Sequence, residues 1–206
     1  MKNEEQKKEL YLELQEKVPY HNQRNNDQEQ SVSDRMCNLT SEAMCLEYLG
    51  ISCPDPKMQF EDYMEQIRET HNFGDRTTIE ARQKVGEYLG ACFDKKSYGK
   101  TFSEEKEEIK SYILPKLESG CAVIMSVWPI CKGHLVRVQK ITDEGLIIDD
   151  PYGKVTDFST REKCDSGGYD TNSKTEEISK GSDNLWKWND IKNITLKYIE
   201  VYCKCK

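Results

Sequence analysis

A chain of 206 residues can bury one good core, and a single domain over 1–206 is the expectation. Charged residues make up 33% and hydrophobic ones 36%; the net charge of −7 comes from interleaved acids and bases, which excludes the basic face that nucleic-acid phosphates need. No apolar run reaches the length of a membrane span, and Met1 to Lys8 lacks the apolar core of a signal peptide, so a cytoplasmic origin is expected, with release by lysis or packaging in a particle left open.

Leu10, Leu12 and Leu14 alternate with polar neighbours, in phase with Val18 and Tyr20. That spacing suggests an edge strand in an N-terminal extension over 1–17, although the Glu/Lys-rich start suits a helix equally. Tyr20 to Ser33 is polar and reads as an irregular loop. From Arg35 the pattern turns helical, with Leu39, Ala43, Leu46 and Leu49 on one stripe and Gly50 as the stop. Ser52-Cys53-Pro54-Asp55-Pro56 is a rigid break, after which 54–118 reads as a helical insert. Its helices run from Met58 to Glu69, from Ile79 to Leu89 behind Thr77 or Thr78, and from Phe102 behind Ser103 until Pro115 kinks or ends it.

Residues 119–206 change texture. Cys121 to Val127 is a short apolar run before Trp128-Pro129, His134 to Gln139 a second strand, Gly145 to Asp150 a third, and Ile194 to Tyr202 a last one, with a long, mobile polar loop expected over 165–182. Helices first and an antiparallel sheet afterwards is the α+β pattern.

Nine cysteines are scattered without CxxC pairs, and without an export signal most are expected to be reduced thiols. Cys203-Lys204-Cys205 offers two soft ligands on what reads as a frayed end, which is no zinc site. Asp165, Asp170 and Asn172 lack calcium-loop spacing, so no metal and no cofactor is expected.

Cys37 falls at the first turn of its helix, where free N–H groups and the positive end of the dipole favour a thiolate. On this stretch alone a small buried hydrophobe is the commoner use of cysteine. A nucleophile needs a base, and the base an orienter. Of the three histidines, His71 reads as a solvated helix end and His21 is ambiguous. His134 opens a strand, and Asp150 closes the next, so a hairpin through Gly145 brings the two together. Trp128, ahead of the histidine strand, and Trp186, after the polar loop, are candidate walls of substrate subsites, with burial in the core as the alternative.

Val18-Pro19-Tyr20-His21-Asn22-Gln23, the run from Cys37 to Gly50, Gly133-His134-Leu135-Val136-Arg137-Val138 and Ile148-Asp149-Asp150-Pro151-Tyr152-Gly153 together resemble the C39-like family of papain-fold cysteine peptidases. The resemblance implies Cys37 as nucleophile, His134 as base, Asp150 as its orienter and Gln23 as an oxyanion-hole donor, with Gln28 and Gln30 in reserve. It implies a monomeric cysteine endopeptidase acting on peptides, with phage or bacterial cell-wall (peptidoglycan) peptides as preferred substrate. The alternatives are an idle papain-like module that holds a peptide or inhibits a host protein, and an amide-transfer or deamidating enzyme.

Overall fold

In the computed structural model, which describes residues 2–26, 29–128, 130–159, 168–173 and 180–205, the first element is a helix and not an edge strand. α1 (Glu4–Gln15) starts on a capping box: Asn3 Oδ1 accepts from the Gln6 N–H at 2.8 Å and Gln6 Oε1 from the Asn3 N–H at 3.0 Å. Helical spacing then seats one face. Lys8 pairs with Glu118 at 3.2 Å, Tyr11 lies over Gly120, and the buried Gln15 amide donates to the Cys121 carbonyl at 2.8 Å. Arg137, itself buried and paired with Asp149, donates to Gln15 Oε1 at 2.6 Å. A long-range polar anchor therefore outweighs the alternation of three leucines.

α2 (Gln30–Ser33) leads into α3 (Cys37–Tyr48), α4 (Phe60–Thr70) and α5 (Ile79–Tyr88), close to the expected spans. Thr78 caps α5, accepting from the Ala81 N–H at 3.3 Å. α3 is buried continuously from Asn38 to Leu46, on all sides rather than along one stripe. Ser41 donates to the Leu135 carbonyl at 3.0 Å, whereas Thr40 Oγ1 and both Glu42 carboxyl oxygens are buried without a hydrogen-bond partner among the described residues. The insert is not wholly helical. β1 (Ala91–Ser97) follows α5, hidden in the sequence because most of its residues are charged or polar and half-exposed, as an edge strand permits. α6 (Phe102–Glu118) is capped by Thr101 with Glu104, not by Ser103, and runs through Pro115, which lies in its final turn.

β2 (Ala122–Trp128), a short 3-10 turn (Ile130–Lys132), β3 (His134–Ile141) and β4 (Gly145–Asp149) follow. β5 (Gly153–Val155) and β6 (Tyr169–Thr171) form a separate two-stranded ribbon, and β7 (Asn184–Lys187), α7 (Trp188–Ile191) and β8 (Thr195–Lys204) complete the chain. Six strands make one antiparallel sheet in the order β1-β8-β2-β3-β4-β7. Of the expected 165–182 loop, the described part is β6 and the turn leading to β7; the remainder lies outside the described residues.

Both faces of the sheet are covered. Along β2, Val123, Met125 and Val127 join the core under α6, while Ala122 and Ile124 join the core under α3, α4 and α5. Period-2 alternation divides one apolar run between two layers. No described helix is long and apolar enough to cross a membrane.

The cysteines depart from expectation. Cys92 is bonded to Cys205 and Cys121 to Cys203, and Cys131 is also in a disulfide. The tail is therefore no frayed end but the close of β8, tied twice: antiparallel pairing of β1 and β2 with β8 brings the sulfurs of residues far apart in sequence together. Cys37, Cys45 and Cys53 are free thiols.

Candidate active site

Cys37 opens α3. Met36 at the N-cap makes no side-chain hydrogen bond, and of the first turn's N–H groups that of Leu39 is taken by Asn38 Oδ1 at 2.8 Å, which leaves the Cys37 N–H for another partner. The Asn38 amide reaches across to the Arg76 carbonyl at 2.8 Å and fixes that turn to the loop before α5. His134 is the first residue of β3, held opposite Val127, and follows Gly133 at φ +115°, a conformation that favours glycine. Asp150 directly follows β4. The hairpin through Gly145 joins the two as expected: His134 Nε2 donates to Asp150 Oδ1 at 2.7 Å. The other ring nitrogen is left for Cys37, whose sulfur interacts electrostatically with the ring and lines the same cavity.

The electrostatics follow. Burial alone would push the Cys37 thiol up, but the hydrogen bond and charge of His134, the Leu135 N–H and the Arg82 guanidinium outweigh it and hold the thiol below its ordinary value. Burial would lower His134; the Asp150 carboxylate and Cys37 reverse that and raise it to about 10. Cys45 and Cys53, by contrast, are pushed up by burial. Of the three free thiols among the described residues, Cys37 therefore favours the thiolate most.

Asp150 is fully buried and held from every side. Oδ1 also accepts the Tyr152 N–H at 2.9 Å, and Oδ2 accepts the Tyr169 hydroxyl at 2.9 Å. Its N–H donates to the Gly181 carbonyl at 2.8 Å, and its carbonyl accepts the Tyr20 hydroxyl at 2.5 Å. Asn172 Nδ2 donates in turn to the Tyr20 oxygen at 2.6 Å. Gly181 is there because a Cβ would lie 1.8 Å from the Asp150 carbonyl oxygen.

Gln23 lies on the loop after α1, its N–H donating to the Pro151 carbonyl at 3.0 Å. Its side-chain Nε2 gives one hydrogen to the Ser33 carbonyl at 3.2 Å and retains a second, while the buried Oε1 has no hydrogen-bond partner. Gln28 lies outside the described residues, and Gln30 opens α2. A cavity of about 520 Å³ is lined by Gln23, Cys37 and His134 together with Arg82, Tyr152 and Tyr198.

The two tryptophans do not wall this cavity. Trp186 is 1% exposed, turned into the core from β7 and packed edge-on against Phe158 at 5.3 Å, because β7 pairs with β4 and faces inward there. Trp128 is 42% exposed at the end of β2; it lies against Gly133, with Lys197 Nζ 5.9 Å above its ring, and is not among the described residues lining the cavity. His71 caps the end of α4 and stacks on Phe73, as a helix-end residue. His21 is engaged by Glu47 at 2.9 Å and Glu61 at 3.4 Å, carboxylates that overcome its burial and raise it to about 10.

Sequence reasoning missed Arg82, Tyr20, Tyr169 and Asn172. Arg82 had one signal, a charged residue three positions before Val85 on the face of α5 that turns inward. All its donors are used, on Glu200, on the Tyr198 hydroxyl and on the Arg76 and Thr78 carbonyls, which pins α5 to β8 beneath the cavity. Tyr169 and Asn172 carried no local signal, since their partners are 19 or more positions away.

An α+β fold in which a cysteine at a helix start meets a histidine at the end of an inner strand of an antiparallel sheet is papain-like. Its membership is more specific: the chain belongs to the Peptidase_C39 like family, whose model matches residues 15–176. No curated protein and no solved structure matches the chain significantly.

Proposed function

We propose that the chain is a cysteine endopeptidase that hydrolyses peptide amide bonds through a thioester. The observation that supports it best is the hydrogen-bonded His134–Asp150 pair set beside Cys37, the cysteine and histidine lining one open cavity. The Cys37 thiolate attacks the carbonyl carbon, and the oxygen gains charge against the Cys37 N–H and the free Gln23 N–H. Imidazolium His134 gives its proton to the leaving amine, and the acyl group stays on sulfur. Water then loses a proton to His134, adds to the thioester and releases the acid, restoring the starting pair.

We assign short wall peptides of the peptidoglycan type as the substrate class. The disulfides support action outside a reducing cytoplasm, where such peptides are exposed. The test has two parts. Iodoacetamide followed by peptide mapping should label Cys37 well before Cys45 and Cys53, and His134→Ala should abolish the difference. Purified peptidoglycan incubated with the protein should release fragments one water heavier at the cut bond, and Cys37→Ala should release none. Labelling that ignores His134 sinks the triad; an intact triad with untouched walls but cleaved model peptides sinks only the substrate class. Product masses that carry an added amine instead of water would make the enzyme a transferase.

A further inference from the structure

Among the polar contacts of Asp150, that of Tyr169 comes from a ribbon outside the main sheet. Asp150 has no exposure to water, so its charge depends on protein donors. Oδ1 is shared between His134 Nε2 and the Tyr152 N–H, at 2.7 and 2.9 Å. Oδ2 has the Tyr169 hydroxyl, at 2.9 Å. That hydroxyl comes from β6, outside the main sheet, and its ring stands edge-on both to His134, with centroids 6.3 Å apart, and to Tyr152, at 5.5 Å. A single side chain thus holds the far oxygen of the carboxylate and covers the ring that the near oxygen orients. The ribbon that carries it is anchored to the same centre: the Asn172 N–H donates to the Tyr152 carbonyl at 3.0 Å, and Asn172 Nδ2 to the Pro151 carbonyl at 3.2 Å.

We propose that Tyr169 is a positioning residue of this site, its hydroxyl clamping Asp150 so that Oδ1 stays on His134. The proposal rests on the Cys37–His134–Asp150 reading. Rotating the carboxylate about its last bond would exchange the two oxygens or swing Oδ1 off Nε2, and a donor on Oδ2 opposes both. Removing that donor leaves a buried carboxylate oxygen without a partner and frees the carboxylate to turn off His134, so the imidazolium that stabilises the Cys37 thiolate loses its fixed counter-charge. The other groups facing the pair are the Cys37 sulfur from α3, Arg82 from α5 on the Cys37 side, the Tyr20 hydroxyl on the Asp150 carbonyl and Asp149 next to it in the chain. None of them reaches Oδ2 with a hydrogen bond among the described residues. Tyr169 is itself a neutral donor, because burial and the Asp150 charge hold its phenol well above the ordinary value.

The experiment is the pH dependence of iodoacetamide alkylation of Cys37 in the full chain, for the wild type, Tyr169→Phe and Asp150→Asn. Tyr169→Phe keeps the ring and its packing and removes only the hydroxyl. The acid limb of its profile should move to higher pH, so that the rate at a fixed pH on that limb falls roughly 3- to 10-fold, with the melting temperature and circular dichroism near those of the wild type. Tyr169→Ala, which also removes the ring, should lower the rate further and speed the exchange of the His134 ring N–H proton with solvent in NMR. A folded Tyr169→Phe whose limb superimposes on that of the wild type overturns the proposal. Asp150→Asn distinguishes the two failures: if it too leaves the profile unchanged, the triad reading falls first; if it shifts the limb and Tyr169→Phe does not, only the positioning role is lost.

Discussion

Asp150→Asn tests the electrostatics of the site most directly. The substitution keeps the side-chain shape and an oxygen for the His134 Nε2–H, and Tyr169, whose hydroxyl now donates to Oδ2, can turn to accept from the new amide. What disappears is charge. Two unit charges about 4 Å apart at an effective dielectric of about 20 attract by roughly 4 kcal/mol. At about 1.4 kcal/mol per pKa unit, that is roughly three units. His134, now raised to about 10 by Asp150 against its burial, should fall by up to that amount, and the Cys37 thiol, held down chiefly by His134, should rise. The wild-type rate should rise as Cys37 ionises, below the ordinary thiol value, and should not fall where His134 loses its proton near pH 10, because alkylation needs only the thiolate. In Asp150→Asn the acid limb should move up by one to three units, costing roughly 10- to 1000-fold in rate at a pH on the original limb. Stopped-flow alkylation between pH 4 and 11, with thiolate absorbance in parallel, measures both. A variant that folds and follows the wild-type profile refutes the account of how this thiolate is stabilised.

Trp186→Ala should cost about 3–5 kcal/mol in urea unfolding, because a core ring is lost, while the alkylation rate of the folded fraction stays within twofold. Glu200→Gln leaves the buried Arg82 guanidinium without its carboxylate and should cost about 3–5 kcal/mol; an effect below 1 kcal/mol would show that the ion pair does not hold α5 to β8. Reduction should lower the urea midpoint, since the two described bonds close loops with sequence separations of 113 and 82, each worth about 4–5 kcal/mol in the chain-entropy picture and less than additive because the loops overlap. His21 binds its proton more tightly in the folded state, so the stability it contributes is whole below about pH 6.5 and is lost as the pH rises through about 10. His21→Gln should flatten that part of the urea midpoint against pH.

Much of the architecture follows from periodicity. The helical spacing from Leu39 to Leu49 marked α3, although the element is buried on all sides, and the short continuous apolar run from Ala122 to Val127 marked β2, a strand covered on both faces. The hairpin from His134 to Asp150 was legible as well: a turn at Gly145 joins adjacent strands, and their outer ends then meet. Where the reading failed, a distant partner had overruled the local pattern. Leu10, Leu12 and Leu14 alternate, yet Gln15 inserts between Arg137 and the Cys121 carbonyl, and the segment is helical. Trp186 looked like a cleft residue by its neighbours in sequence, while β4–β7 pairing turns it inward.

By itself the chain's order of residues determined its mixed helix-and-sheet class, its C39-like membership and which cysteine, histidine and aspartate stand at the starts and ends of regular elements. Those are properties of short spans, and short-range spacing encodes them. Only the tertiary structure decided that five of the described cysteines are oxidised, that Arg82 lines the cavity with Cys37 and that Tyr169 and Tyr20 hold Asp150. Such contacts join positions that are distant along the chain, and they exist only once the sheet has set its strand order and register.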